Sequence, residues 1–420
     1  MENKTYLNLQ YIVLCIFAFI LPFSTPTISY LNFTPTLLII LALVWLLSGH
    51  FKDKFQRITI NKALLPLLLC AGLYVLYCIG MLYSSNLDFG RKDLLLKSPL
   101  LFLPLFFSTV DSGFFTKKRM LFLLKLSLVG NIIAIIASLT HSWILYMEVP
   151  SFHHFHYVEA SWFHHPSYAS MYYCSSFAFV VYLMFTQKLK LYEKIIGGIG
   201  LALFIVEIVL LDSRAGILAF CTTILTCGIY IIAKKRINIK TVIIILGLGI
   251  ALIGAYALLP NNVNRIQSTI KGLEKETFSA TNPEKANVRI LIWDASATVA
   301  LKNLPFGVGT GDIKDELKKQ YAIDNYSIPY EENFNAHNQY LQLFATLGVL
   351  GVLTFLTILF LPFGIGIKKK NILFIIFGII ICINFLVESM LEKQAGVMFF
   401  CFFFPLLYYI SELNIKSLQE

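Results

Sequence analysis

The chain has 420 residues, 57% of them hydrophobic and 14% charged, with a mean hydropathy of +0.72. That balance excludes a soluble domain of this length and points to an all-α polytopic membrane protein, because lipid offers backbone N–H and C=O groups no partners outside a helix. The formal charge of +10 falls mostly in short loops, so it reads as topology and contact with membrane lipids, with no nucleic-acid partner.

Apolar runs of membrane-crossing length predict twelve transmembrane helices, at 7–23, 33–48, 63–83, 93–109, 119–140, 167–186, 194–211, 214–232, 241–259, 338–361, 371–387 and 394–411. No small-residue cleavage site follows the first run, which is expected to remain as a helix. With the amino terminus inside, lysine and arginine gather in alternate loops: Lys52, Lys54, Arg57 and Lys62; Lys117, Lys118 and Arg119; Lys188, Lys190 and Lys194; Lys234, Lys235, Arg236 and Lys240; Lys368, Lys369 and Lys370. The even count places both termini in the cytoplasm. The eight cysteines all fall in apolar runs without metal-ligand spacing and read as small core residues.

The organisation expected is a bundle of five spans over 1–140, a loop at 141–166, four spans over 167–259, a large external subdomain at 260–336 and three spans over 337–420. The first loop holds six of the eight histidines, His141, His153, His154, His156, His164 and His165, interleaved with aromatic residues. Metal binding is one reading of such a cluster. The preferred one is an aromatic shelf over an entrance, because no carboxylate or cysteine recurs there at ligand spacing.

The 260–336 segment mixes nine cations and ten acids, as a water-facing surface would. Val288, Ile292, Ala295 and Val299 predict a helix from about Ala286 to Leu301, with Arg289, Trp293 and Ser296 on an adjoining strip. The glycines of the following PFGVGTGD run are expected to form a turn and not a dinucleotide loop, since no strand precedes them. His337 then opens a hydrophobic helix. If that helix is regular, His337 shares a face with Phe344, Gly348, Gly351 and Phe355, and the glycines form a groove for a neighbouring helix or lipid chain about 16 Å below the imidazole.

His337, Asn338, nine intervening residues, Gly348, two more and Gly351 fill a pattern that resembles the signature of bacterial O-antigen ligases. Three further stretches are similar to elements of that ligase and polymerase superfamily: Asp212–Gly216 (DSRAG), Asn287–Asp312, and Phe385–Gly396 with its acid between the last two spans. The resemblance covers roughly the second half of the chain. It implies a GT-C-like glycosyltransferase of the bacterial inner membrane, moving a glycan from undecaprenyl diphosphate onto the lipid A-core at the periplasmic face. An O-antigen polymerase and an O-linked protein oligosaccharyltransferase share much of the pattern. A transporter is the non-enzyme alternative, weakened by the absence of repeated halves.

The residues suit that chemistry. A departing diphosphate needs fixed positive charge, which arginine forks supply without a metal; no DxD and no P-loop is present, and no cofactor is expected. Arg214 and Arg289 are the expected diphosphate ligands, with Lys97 and Arg91 as a second docking pair. His337 is the expected base for the attacking sugar hydroxyl. Asn338, Gly348, Gly351 and Glu388 are expected to support it, an ion pair of Glu388 with Arg214 or Lys393 being the structural alternative.

Overall fold

A computed structural model describes residues 4–26, 28–60, 64–110, 113–233 and 288–419, and these are helical with no strand. The expected span at 241–259, the lysine loop at 234–240 and the start of the external segment, 260–287, lie outside the described residues. In chain order the helices are α1 (Lys4–Ile20), α2 (Thr34–Leu47), α3 (Phe51–Ile60), α4 (Leu65–Met81), α5 (Leu87–Lys97), α6 (Pro99–Thr109), α7 (Lys117–Glu148), α8 (Pro166–Thr186), α9 (Leu191–Leu210), α10 (Arg214–Ala233), α11 (Val288–Lys302), α12 (Ile313–Ile323), α13 (Ser327–Glu331), α14 (Gln339–Lys368), α15 (Ile372–Val387) and α16 (Gln394–Gln419).

Four of the described helices, α7, α8, α10 and α14, are each long and apolar enough to cross a membrane. The α2–α3 pair would add a fifth, bent by 107°. Lys54, expected in a solvated loop, is buried at that bend and donates to Trp45 O at 2.7 Å and Ser48 Oγ at 2.6 Å. It thereby satisfies a carbonyl that the end of α2 leaves open.

Two expected boundaries move. The run read as one span at 93–109 is two helices that part at Ser98, because Pro99 favours a helix start. Residues 141–148, read as loop, extend α7 to 32 residues.

One large core joins the apolar helices, with α8, α10, α14 and α16 packed around α15. A second, smaller core lies under α11 and α12, where Ile292, Ala295 and Val299 meet Val308, Ile313, Leu317 and Ala345. The expected face of α11 is therefore the packed one.

The glycine run between α11 and α12 is a loop with positive φ at Gly307 and Gly309. It ties this small cap to α4 and α5. Thr310 Oγ1 donates to Tyr77 O at 2.6 Å, Gly311 N to Ser84 Oγ at 2.9 Å and Tyr83 OH to Phe306 O at 2.9 Å. The Asp312 carboxylate accepts from Ser85 N at 2.8 Å and Asn86 N at 2.7 Å.

The same loop corrects the expectation of a regular helix after His337. Gly348 adopts φ 63°, ψ −153° inside α14. That break frees Ala345 O and Thr346 O to accept from Val308 N at 2.8 Å and Gly309 N at 3.0 Å. His337 lies before the helix with φ 41°, so it shares no helical face with Gly348 or Gly351. The space at Gly348 is filled by the loop, since a Cβ there would fall 1.9 Å from Pro305 O.

Candidate functional site

Asn338 starts α14 as its N-cap, its Oδ1 accepting from Tyr340 N at 2.9 Å and Leu341 N at 3.1 Å. That cap leaves His337 just outside the helix, where three neighbours hold it. Its N–H donates to Asn335 Oδ1 at 3.0 Å, its carbonyl accepts from Trp293 Nε1 at 3.3 Å, and the Phe334 ring packs edge-on at 5.1 Å. A non-glycine residue with positive φ persists only where its surroundings fix it.

The His337 ring meets Glu388, the C-cap of α15: Nδ1 lies 3.0 Å from Oε1 and 3.1 Å from Oε2. An ionised carboxylate only accepts, so Nδ1 carries the hydrogen, and whenever the ring is neutral its lone pair is on Nε2. Burial pushes the Glu388 carboxyl up, but the hydrogen bond and charge of His337, with the charges of His165 and Arg289, outweigh it and hold the carboxyl below its ordinary range.

Ser389 joins the two halves of this pair. Its Oγ accepts from Asn338 N at 3.1 Å and its own N–H donates to Glu388 Oε1 at 3.2 Å. Leu391 N donates to Gln339 Oε1 at 2.7 Å, fixing the rest of the turn.

The pair opens into a cavity of about 880 Å³ walled by α5, the stretch before and into α8, α12, residues 332–337 and the 388–395 turn. His165, Lys92, Lys314 and Lys393 line it beside His337 and Glu388. His165 is the N-cap of α8, and its Nδ1 accepts from Ser167 N at 3.5 Å. Burial lowers its pKa.

Not every expected ligand belongs to this wall. Arg289, the second residue of α11, is not in it, although its charge acts on both Glu388 and His165. Arg214 is exposed at the first position of α10, close to the start of α8, because a Cβ on Gly216 would meet Ser170 Oγ at 2.4 Å. Arg91 is a surface residue, 69% exposed, with Asp88 3.4 Å away.

Lys97 has a different setting from the expected docking position. It is fully buried, bonded to Asp93 and, at 2.9 Å, to Glu392, and its Nζ lies 4.7 Å from the Tyr77 ring centroid. Two carboxylates already neutralise it, which removes it from the cations open to a phosphate. Glu388 pairs with His337, and among the described residues no ion pair of Glu388 with Lys393 is seen. The sequence did not single out Asp93, and it offered His165 only as one of the six histidines of the first loop. Signals for both were present: Asp93 and Lys97 sit one helical turn apart, and His165-Pro166 has the form of a helix start.

The histidines of the first loop are dispersed. His141 stacks on Trp162 with centroids 4.7 Å apart, His156 faces Asp212 at 3.5 Å, His154 faces Glu159 at 3.8 Å, and His164 stacks on Tyr172 at 5.5 Å. Among the described residues no three His, Cys, Asp or Glu side chains converge as a metal site.

No curated protein matches the chain. Residues 199–356, just over a third of its length, match the family described as O-antigen ligase. The match takes in Arg214, Arg289, His337, Asn338, Gly348 and Gly351 and stops short of Glu388. Over that stretch the chain is similar to the O-antigen ligase family, the one the His337 motif resembles.

Proposed function

We propose that the protein transfers a glycan from undecaprenyl diphosphate to the lipid A-core oligosaccharide. The observation that carries this reading is the His337–Glu388 pair facing a cavity that Lys92, Lys314 and Lys393 line, beside a segment similar to the ligase family. In the proposed step Nε2 of His337 takes the proton of an acceptor hydroxyl. The hydroxyl oxygen bonds to the anomeric carbon, and the carbon–oxygen bond to the diphosphate breaks with its electron pair leaving on the carrier. Attack from the side opposite the diphosphate inverts the anomeric centre, in a single displacement without a covalent enzyme intermediate.

Glu388 orients the imidazole and stabilises the imidazolium that forms. Arg289, Lys393 and Lys314 offset charge on the departing diphosphate, with Arg214 guiding the donor from its helix end. The reaction needs no nucleotide and no metal in this reading. The proposed topology has twelve spans, both termini in the cytoplasm of a multi-pass inner-membrane protein, and the cavity towards the periplasm, as the alternation of lysine-rich loops supports. The proposed domain limits are those at 140, 166, 259 and 336.

The test is transfer in detergent with purified undecaprenyl diphosphate glycan, lipid A-core as acceptor, and EDTA present. Glycan-capped lipid A-core is the expected product. Growth of longer carrier-linked chains instead, with the lipid A-core untouched, would overturn the ligase reading in favour of a polymerase using the same residues on another acceptor.

A further inference from the structure

Between α15 and α16 the chain makes a short turn that carries Glu388, with one 3-10 segment over Met390–Glu392. The start of α14 holds this turn, through Asn338 N on Ser389 Oγ at 3.1 Å and Leu391 N on Gln339 Oε1 at 2.7 Å. A second element reaches it as well: Lys97, the last residue of α5, donates from its buried Nζ to Glu392 Oε2 at 2.9 Å. Neutralising Lys97 does not require that bond. Asp93, one turn earlier in the same helix, already pairs with it. A further carboxylate brought to a lysine without exposed surface adds a desolvation cost, and with both acids ionised the cluster has one negative charge in excess.

The backbone gives Glu392 a different use. Its N–H donates to Ser389 O at 3.0 Å, and Ser389 N in turn donates to Glu388 Oε1 at 3.2 Å. A shift at Glu392 is therefore passed through Ser389 to the carboxylate that meets Nδ1 of His337 at 3.0 Å. Ring and carboxylate come from different elements, so a relative displacement of about 1 Å is enough to break their hydrogen bond.

We propose that Glu392, anchored by Lys97, is a positioning residue that holds the turn so that the Glu388 carboxylate stays on Nδ1 of His337. Lys97 and Asp93 form the fixed post on α5, and Glu392 is the arm that reaches it. The proposal rests on the reading of His337 as the base, but the anchor itself is measured without any substrate.

The experiment is proton NMR of the full chain in detergent micelles, with nitrogen-labelled histidine. The readout is the low-field Nδ1–H resonance of a histidine bonded to a carboxylate, assigned by its absence from His337→Ala. Glu392→Ala leaves Lys97 paired with Asp93, so it should stay folded and lose this resonance. Glu392→Gln, whose amide oxygen still accepts from Nζ, should retain it. Glu392→Asp keeps the charge but shortens the arm by one methylene, and it should lose the resonance even if the alanine variant proves unstable. In transfer, Glu392→Ala should lower kcat about tenfold at unchanged donor KM. Added to Glu388→Gln it should lower kcat no further, because both changes act through one contact. A wild-type resonance in Glu392→Ala or Glu392→Asp would overturn the proposal. So would equal loss in the alanine and glutamine variants, or losses that multiply in the double variant. The resonance follows the anchor whichever acceptor is used, so a failed transfer to lipid A-core bears on the ligase reading alone.

Discussion

The amide of Val349 donates to the carbonyl of Pro305, 2.9 Å away, and not to the residue four positions back in its own helix. Gly348 makes this possible by turning to positive φ. Gly348→Ala should therefore destabilise the protein by more than about 1 kcal/mol, since both the backbone geometry and the contact with Pro305 O reject a Cβ. Gly364→Ala, in the same helix but in open space, should be neutral or stabilising by up to about 1 kcal/mol. Thermal unfolding in detergent compares the two, and equal midpoints would remove the argument.

His337→Ala should abolish transfer in a protein that still folds and inserts. Glu388→Gln keeps the shape of the partner but loses its charge, and should lower kcat by about 10²-fold with little change in donor KM. A Glu388→Gln enzyme with wild-type kcat would leave His337 working alone.

Arg289→Lys conserves charge and loses the guanidinium fork. Donor KM should rise about tenfold or more, the loss of one charge-assisted hydrogen bond. Steady-state kinetics at fixed ionic strength reads this directly. Wild-type values in the lysine variant would count against a phosphate clamp.

Lys97→Met should act on stability. Removing the buried cation leaves Asp93 and Glu392 facing each other without compensation, at a cost of about 3–5 kcal/mol. Adding Asp93→Asn should recover part of that loss. A raised donor KM with undiminished stability would instead return Lys97 to a docking role.

His164 supplies a pH dependence. Burial lowers its pKa from the ordinary 6.5 to about 4, so the unfolded chain binds a proton first as pH falls. The folded state should lose stability progressively from pH 6.5 down to about 4, by about 3 kcal/mol once titration is complete. His164→Phe keeps a ring against Tyr172 and should flatten this slope. Unfolding midpoints measured across the interval check it, and parallel slopes for the two proteins would assign the dependence elsewhere.

The parts of this molecule that follow from periodicity were legible in its sequence. Apolar runs announced helices, the repeat of Ile292, Ala295 and Val299 announced the packed face of α11, and Asn338 stood where a cap belongs. His337 and Glu388 were each visible as candidates, but their partnership was not: fifty-one positions separate them, and no local rule links the start of one span to the end of the next. The break in α14 was hidden for a related reason. A glycine in an apolar run reads as a small packing residue, and only the loop pressed against it shows that its backbone is used. Lys97 misled because a lysine near a helix end ordinarily reaches for water, whereas here two acids from different elements draw it inward.

The loop after α11 has one more consequence. By accepting and donating hydrogen bonds on both α4 and α14, it makes the cap above the cavity and the membrane helices beneath it one mechanical body. In the proposed reaction, substrates would reach His337 past the edges of a roof fastened on two sides, as through a doorway under a braced lintel.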